Sequence, residues 1–322
     1  MKKAVLVLLL FVSLACELFS EERLYKVWAD TVDRHCGFIN RNGELVIPAD
    51  YEYVDDFSEG LAAVSTRNGK SVYINQKNKV VIDPDCEECS AFSEGLAVVT
   101  KREGNSSLTG VINKRGKVVI PFYWDYIDDF SEGKSFARKD GRTFCINKKG
   151  KVLYELNAYE SDRIKTGRYE NGYVYVCYIW EPESLSEKAK SVEMLLDAGG
   201  KQSEKPKPLP SPAEKEYYSF IDKETGKTGL KNKSGEIVIP AKYDFLYEPD
   251  EKGYILFGFG EYEKIAIFGY MNIEEEIIIP CDFNLLEKFN GDLARFCSGC
   301  SYGGYVTRDG RVFYDYEYLI NP

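Results

Sequence analysis

The sequence predicts an all-β protein built from tandem repeats of about 35 residues, each a meander of three short antiparallel strands. Three observations carry this. A twelve-residue phrase returns along the chain, as GFINRNGELVIP (37–48), GVINKRGKVVIP (110–121), GLKNKSGEIVIP (229–240) and GYMNIEEEIIIP (269–280). A second phrase returns between its copies, as DDFSEGLAAV (55–64), SAFSEGLAVV (90–99) and DDFSEGKSFA (128–137). Both are rich in β-branched and aromatic residues and are punctuated by Gly and Pro. An open superhelical array is the expected arrangement, with a closed β-propeller as the alternative.

The elements follow in order within one unit. GLAAVST reads as a first strand opened by Gly60, and SVYINQ as a second. The Asn-Gly pair at Asn42–Gly43 marks a hairpin. ELVIP is the third strand, stopped by Pro48, which has no N–H for a ladder. Gly43, Gly116, Gly150, Gly200, Gly235 and Gly310 share the turn position, where a positive φ is expected. Asn78 suits that position, whereas Glu275 does not, so its turn is expected to differ. Third strands such as Val118–Ile120, Ile237–Ile239 and Ile277–Ile279 are apolar throughout, which predicts burial on both faces. One unit is too small to provide that burial, so neighbours must cover one another.

Taking the third residue of each copy as a marker gives Ile39, Ile74, Ile112, Ile146, Leu196, Lys231, Met271 and Val306. These mark eight units. The long step before Leu196 holds Glu181–Leu195, read as room for a short helix, and is followed by the Pro-rich, exposed-looking KQSEKPKPLPSPAEKE (201–216). The expected organisation is a signal segment at 1–20, a repeat block at 21–180, an irregular insert and linker at 181–216, and a second block at 217–322.

The N-terminus joins Lys2 and Lys3 to an apolar run too short to cross a bilayer, with small residues before Cys16. This predicts export, with cleavage after Ala15 and Cys16 as lipidation candidate, or plain secretion as the alternative. The expected location is the periplasm or cell surface. The net charge of −10 argues against a nucleic-acid partner, which needs a basic surface.

The two phrases together resemble the WG-repeat family of bacterial proteins, also called KWG repeats, over roughly residues 24–316. The family's Gly stands at Gly37, Gly110, Gly229, Gly269 and Gly304, while its preceding Trp is replaced by Cys36, Thr109, Thr228, Phe268 and Gly303. The resemblance implies an exported or envelope-associated repeat protein and brings no catalytic residues.

Candidate chemistry is sparse. A Ser-Glu site in the FSEG phrase lacks a partner base, because His35 is the one His in the chain. Phe57, Phe92 and Phe130 are expected to fill the core, and Gly60, Gly95 and Gly133 to turn the chain. Cys86, Cys89, Cys297 and Cys300 have the spacing of two zinc half-sites, but export favours disulfides over metal. The aromatic register Tyr51, Trp124, Tyr243 and Phe283 is either a core ladder, the favoured reading, or a face for stacking glycans. The expected function is a non-enzymatic binding or scaffolding module at the cell envelope. It needs no cofactor, its partner is an envelope protein or glycan, and it touches a membrane only through a lipid anchor. An enzyme with its site within 169–216, or a purely structural envelope protein, is the alternative.

Overall fold

A computed structural model describes residues 22–28, 35–104, 106–156, 163–180, 190–203, 216–260, 266–298 and 302–315. Cys16, Cys300 and most of the Pro-rich stretch lie outside them. The described chain forms eight separate antiparallel sheets, one per expected unit. Units two, three, four, seven and eight have four strands, and units one, five and six have three. In unit two these are Tyr53–Val54, Ala62–Ser65, Ser71–Ile74 and Val80–Cys86. Strand order follows chain order in every sheet, and none closes into a barrel.

The fourth strand comes from the aromatic segment beyond each Pro. Tyr53–Val54, Glu88–Cys89, Tyr126–Ile127, Phe245–Leu246 and Leu285–Leu286 each pair with the first long strand of the following unit. Consecutive units are therefore sewn together by a two-residue strand that leaves one unit and opens the next.

Packing runs between units. In the GLAAV strand, Ala62 and Val64 pack with Phe38 and Ile47 of unit one, while Leu61 and Ala63 pack with Phe92 and Val99 of unit three. Alternating side chains point to opposite faces of a strand, so a sheet between two neighbours has both faces buried. The continuous burial expected of the third strands belongs to these inner strands instead. In the third strand of unit six Ile237 is 60% exposed and Ile239 fully buried. That strand is the outer edge of its sheet, and its third residue is the one pointing into the joint between units.

Hydrophobic clusters join units one to two, two to three, three to four, four to five, six to seven and seven to eight. A further cluster joins unit eight to unit one, through Leu293 and Tyr305 against Tyr25, Val27 and Ile39. The Tyr25 and Tyr305 rings meet edge-on at 5.7 Å. The Tyr305 hydroxyl donates to the Lys26 carbonyl at 2.8 Å, and the Asp292 N–H donates to the Tyr25 hydroxyl at 3.0 Å. The tandem sheets are as expected, and the first and last units also touch. Hydrophobic surface on an end unit is satisfied here by the other end unit. Among the described residues, no such cluster joins unit five to unit six, the side that carries the Pro-rich stretch.

Two local expectations also change. Residues 190–195 lie in the strand Lys190–Asp197, paired with Tyr173–Trp180, and not in a helix. Ladder bonds to a neighbouring strand override a local sequence equally suited to helix. Glu275 takes φ +61° and so forms the same turn as Gly43 and Gly116. Its carboxylate is held there by Lys242 at 2.5 Å and by the Tyr243 hydroxyl at 2.7 Å.

Candidate functional site

The FSEG phrase is a tight hairpin turn. Glu59 and Gly60 both have positive φ, and Ser58 and Leu61 exchange backbone bonds of 2.9 and 3.1 Å. Two residues of positive φ define the turn that matches strand twist, which explains the Gly. Glu94 and Glu132 adopt the same left-handed conformation, at φ +54° and +51°. A side chain with a Cβ pays for that conformation, so another contact must offset it.

That contact is made with the next unit. Glu59 accepts the Gly95 N–H at 3.0 Å, and Glu94 accepts the Gly133 N–H at 2.9 Å. Glu132 accepts the N–H groups of Asn171 and Gly172 at 2.5 and 2.7 Å. The serines run in parallel: Ser58 donates to the Phe92 carbonyl at 2.6 Å, Ser93 to Phe130 at 2.8 Å and Ser131 to Tyr169 at 2.7 Å. From the following unit's turn, Lys114 reaches the Glu59 carboxylate at 3.8 Å and Lys148 that of Glu94 at 3.2 Å. Arg41 extends the pattern to the junction of units eight and one, reaching Asp292 at 3.9 Å. Each phrase is therefore a clasp on the next unit. The serine protons go to backbone carbonyls, which are not bases, so the phrase is not set for nucleophilic attack.

Burial opposes ionisation of Glu94, but the Gly133 N–H and the Lys148 ammonium together hold its carboxyl below the usual carboxylate range. A lowered native pKa makes the stabilisation complete above the ordinary carboxylate pKa and loses it as pH falls through the native value. Glu94→Gln is therefore expected to cost about 1 kcal/mol at neutral pH. The gap between wild type and variant should narrow in acid. Urea midpoints measured from pH 7 down to pH 3 check this, and a gap that stays constant contradicts the clasp.

The turn of each long hairpin carries a second device that the repeat spacing alone did not flag. Asn40 Oδ1 accepts the N–H groups of Asn42 and Glu44, and Asn113 Oδ1 accepts those of Arg115 and Lys117, at 2.9 to 3.2 Å. Asn75, Asn147 and Asn232 repeat the pattern. The recurrence of Asn at the fourth position of the long phrase was the signal.

The remaining candidates fall out as follows. Phe92 and Phe130 are buried and Phe57 packs against the cluster that joins units one and two. Trp124 (7% exposed), Tyr243 and Phe283 lie in the inter-unit core, and Tyr51 is half-buried with its hydroxyl on Asn78. Trp124, Tyr243 and Phe283 pack in the joints between units, as rungs of a core ladder would. Two residues further on, Tyr53 is 53% and Tyr126 48% exposed. Cys86 and Cys89 both lie against the Ser71 carbonyl, at 3.9 and 3.8 Å, as thiols. The Cys86 contact and burial push the Cys89 thiol up, away from the reactive thiolate. Among the described residues no group of His, Cys, Asp or Glu forms a metal-binding cluster.

A cavity of about 400 Å³ opens between units three, four and five. Asp128 in its wall accepts the Thr166 hydroxyl at 2.7 Å, and burial pushes its carboxyl above the usual range. Ser131 and Ser135 also line it, but each donates to a backbone carbonyl. The polar groups are mutually satisfied, an arrangement suited to holding shape. A second cavity, of about 540 Å³, lies where units eight, one and two meet.

No curated protein matches the chain. Among solved structures it is similar to the computationally designed Ika8 protein, at 10% identity and TM-score 0.36, over 91% of this chain and 86% of that one. It is similar to BamB from Moraxella catarrhalis at 11% identity and TM-score 0.35, over 81% and 86%. It is also similar to the beta-propeller domain of the Trilobed protease from Pyrococcus furiosus, at 12% identity and TM-score 0.40, over 84% and 99%. The model of the WG containing repeat matches at residues 37–70, 73–104, 110–142, 229–260 and 268–299. These matches cover just over half of the chain, so the chain belongs to the WG-repeat family.

Proposed function

We propose that this chain is an exported, non-enzymatic binding or scaffolding module of the cell envelope. The observation that carries the binding role is the division of labour within each joint. The hydroxyls and acids of the recurring phrase clasp units together, while Tyr53 and Tyr126, at the matching position of two joints, stay exposed. Exposed rings beside carboxylates, as where the Tyr53 hydroxyl donates to Asp55 at 2.9 Å, suit an envelope glycan or protein that offers apolar faces and polar edges. The N-terminal Lys2, Lys3 and Cys16 support export and a lipid anchor.

The test uses the full chain. Purified protein is co-sedimented with insoluble envelope glycan and, separately, with vesicles carrying envelope proteins. Wild type is expected to be retained by one of the two, and Tyr53→Ala with Tyr126→Ala to be retained about ten-fold less, as for loss of two aromatic anchors. Fractionation of cells expressing the chain and Cys16→Ala should move the variant out of the membrane fraction. Failure of both preparations to retain wild type, or equal retention of the variant, overturns the binding reading; identical fractionation overturns the lipid anchor.

A further inference from the structure

The residue just before the third strand changes sign around the array. It is Glu44, Glu236 and Glu276 in units one, six and seven, and Lys79, Lys117 and Lys151 in the run of units two, three and four. The glutamates serve their own turns. Each accepts the side-chain N–H of the turn asparagine, Asn40, Asn232 or Asn272, at 2.7 to 2.8 Å. A lysine has no acceptor for that bond. Lys201 and Arg311 hold the place in units five and eight, each beside an acid of its own turn, Asp197 and Asp309. The turn itself therefore favours Glu, and the three lysines in a row need another reason.

Their surroundings supply one. Lys77, Arg115 and Lys149 stand two residues before them, and all six side chains are exposed. Just beyond lie Val80, Val81, Val118, Val152 and Leu153, 43–49% exposed. The register shifts between Tyr73 and Ile74 and between Cys145 and Ile146 leave Val81 and Leu153 as bulge residues outside the ladder. The three turns adjoin. A Cβ on Gly116 would lie 3.0 Å from Ile82, and one on Gly150 3.1 Å from Ile120, each in the third strand of the preceding unit. Together they form one ledge of cations interleaved with aliphatic side chains. Glu59, Glu94 and Glu132 are the acids of the adjoining FSEG turns, and Lys114 and Lys148 already meet the first two. The ledge is thus positive in a chain of net charge −10, whereas the turn of unit seven carries Glu274, Glu275 and Glu276.

We propose that this ledge rests on an anionic phospholipid surface. Its cations match headgroup phosphates, and its valines and leucine match the boundary between headgroups and acyl chains. The place where the described chain begins points the same way. The Glu22 carbonyl accepts the side-chain N–H of Gln76, within the turn of unit two, at 3.0 Å. Cys16 is six residues earlier, a reach of at most about 20 Å in extended chain. The inference rests on the envelope location and Cys16 anchor proposed above, and adds to them a second contact that sets which units face the bilayer.

The full chain is reconstituted through its N-terminal segment on vesicles of phosphatidylcholine alone and of phosphatidylcholine mixed with phosphatidylglycerol. Deuterium uptake over residues 75–81, 113–119 and 147–153 is expected to fall on the anionic vesicles, with no change over residues 272–278 of unit seven. The protection should be lost at about 1 M salt, where the screening length is about 3 Å. Lys79→Glu, Lys117→Glu and Lys151→Glu together write the residue of units one, six and seven into units two to four. This variant should keep the wild-type melting midpoint and lose the protection. Cys16→Ala mixed with the same anionic vesicles should still be protected, so failure of the anchor and failure of the ledge are read separately. Equal uptake on the two vesicles, or equal protection of unit seven, overturns the inference. The same protection from soluble polyphosphate assigns the ledge to a free polyanion and overturns the lipid surface.

Discussion

Phe92→Ala is expected to destabilise the protein by about 3–5 kcal/mol, the largest loss available from a single residue of the recurring phrase. Phe92 is buried between units two and three, against Leu61, Tyr73, Ile82 and Val99, with its ring 4.8 Å from that of Tyr73. Truncation removes apolar surface from two sheets at once, and neither can collapse without breaking its own ladder. Its neighbour Ser93 donates one hydrogen bond, to the Phe130 carbonyl at 2.8 Å, and accepts a long one from Arg168 at 3.5 Å. Ser93→Ala is therefore expected to cost only about 1 kcal/mol. Urea unfolding of the two variants checks the ranking. Equal losses would mean that the phrase is not organised around its ring. Because units couple mainly to their neighbours, probes in distant units should also part company in the Phe92 variant more than in wild type.

Gly269→Ala is expected to cost about 3 kcal/mol, the upper end of overpacking. A Cβ at Gly269 would lie 2.5 Å from the Ile279 carbonyl oxygen and 2.9 Å from the Cys281 N and Cα. All three are backbone atoms, so nothing can rotate aside. The pairing of Ile267–Met271 with Ile277–Phe283 shifts register across this residue, between Phe268 and Tyr270, and again between Tyr270 and Met271. Gly133 is the informative contrast. It has φ +75°, with open space where its Cβ would be. Gly133→Ala should cost about 1 kcal/mol, from the left-handed conformation alone. Thermal melts of the two variants separate the two reasons for a repeated glycine. A smaller loss at Gly269 than at Gly133 would mean that space is not what selects this residue.

These two glycines show how far the sequence reads. The turn glycines were legible because a hairpin of this type constrains φ within four residues. The family glycine within the second strand was visible as a recurrence, but its cause is a strand about ten residues away passing within contact distance. Likewise the Phe of each phrase was assignable to the core, since a large ring in a repeated position needs a partner. The Ser and Glu beside it had no assignable task, because their acceptors and donors are backbone groups about 36 residues further along. Distance in sequence hid the bond, although the repeat period contained it.

The sequence favours a core ladder for the aromatic register but does not pick out the exposed rings. Tyr51, Trp124, Tyr243 and Phe283 drew attention as rings, while the exposed positions are Tyr53 and Tyr126, two residues on. Composition gives both sets equal claim. Which ring meets solvent depends on where the donated strand leaves one sheet and joins the next.

Sequence alone determined the number of units, their period, their antiparallel strands and their turns. Those properties arise from contacts within one repeat, and every repeat restates them. Tertiary structure alone decided that unit eight meets unit one, that the inner strands and not the apolar third strands are buried on both faces, and that serine and glutamate serve as clasps. Those properties arise where one unit touches another, and the angle at which units stack is set by the summed packing of all the joints, which no single repeat encodes.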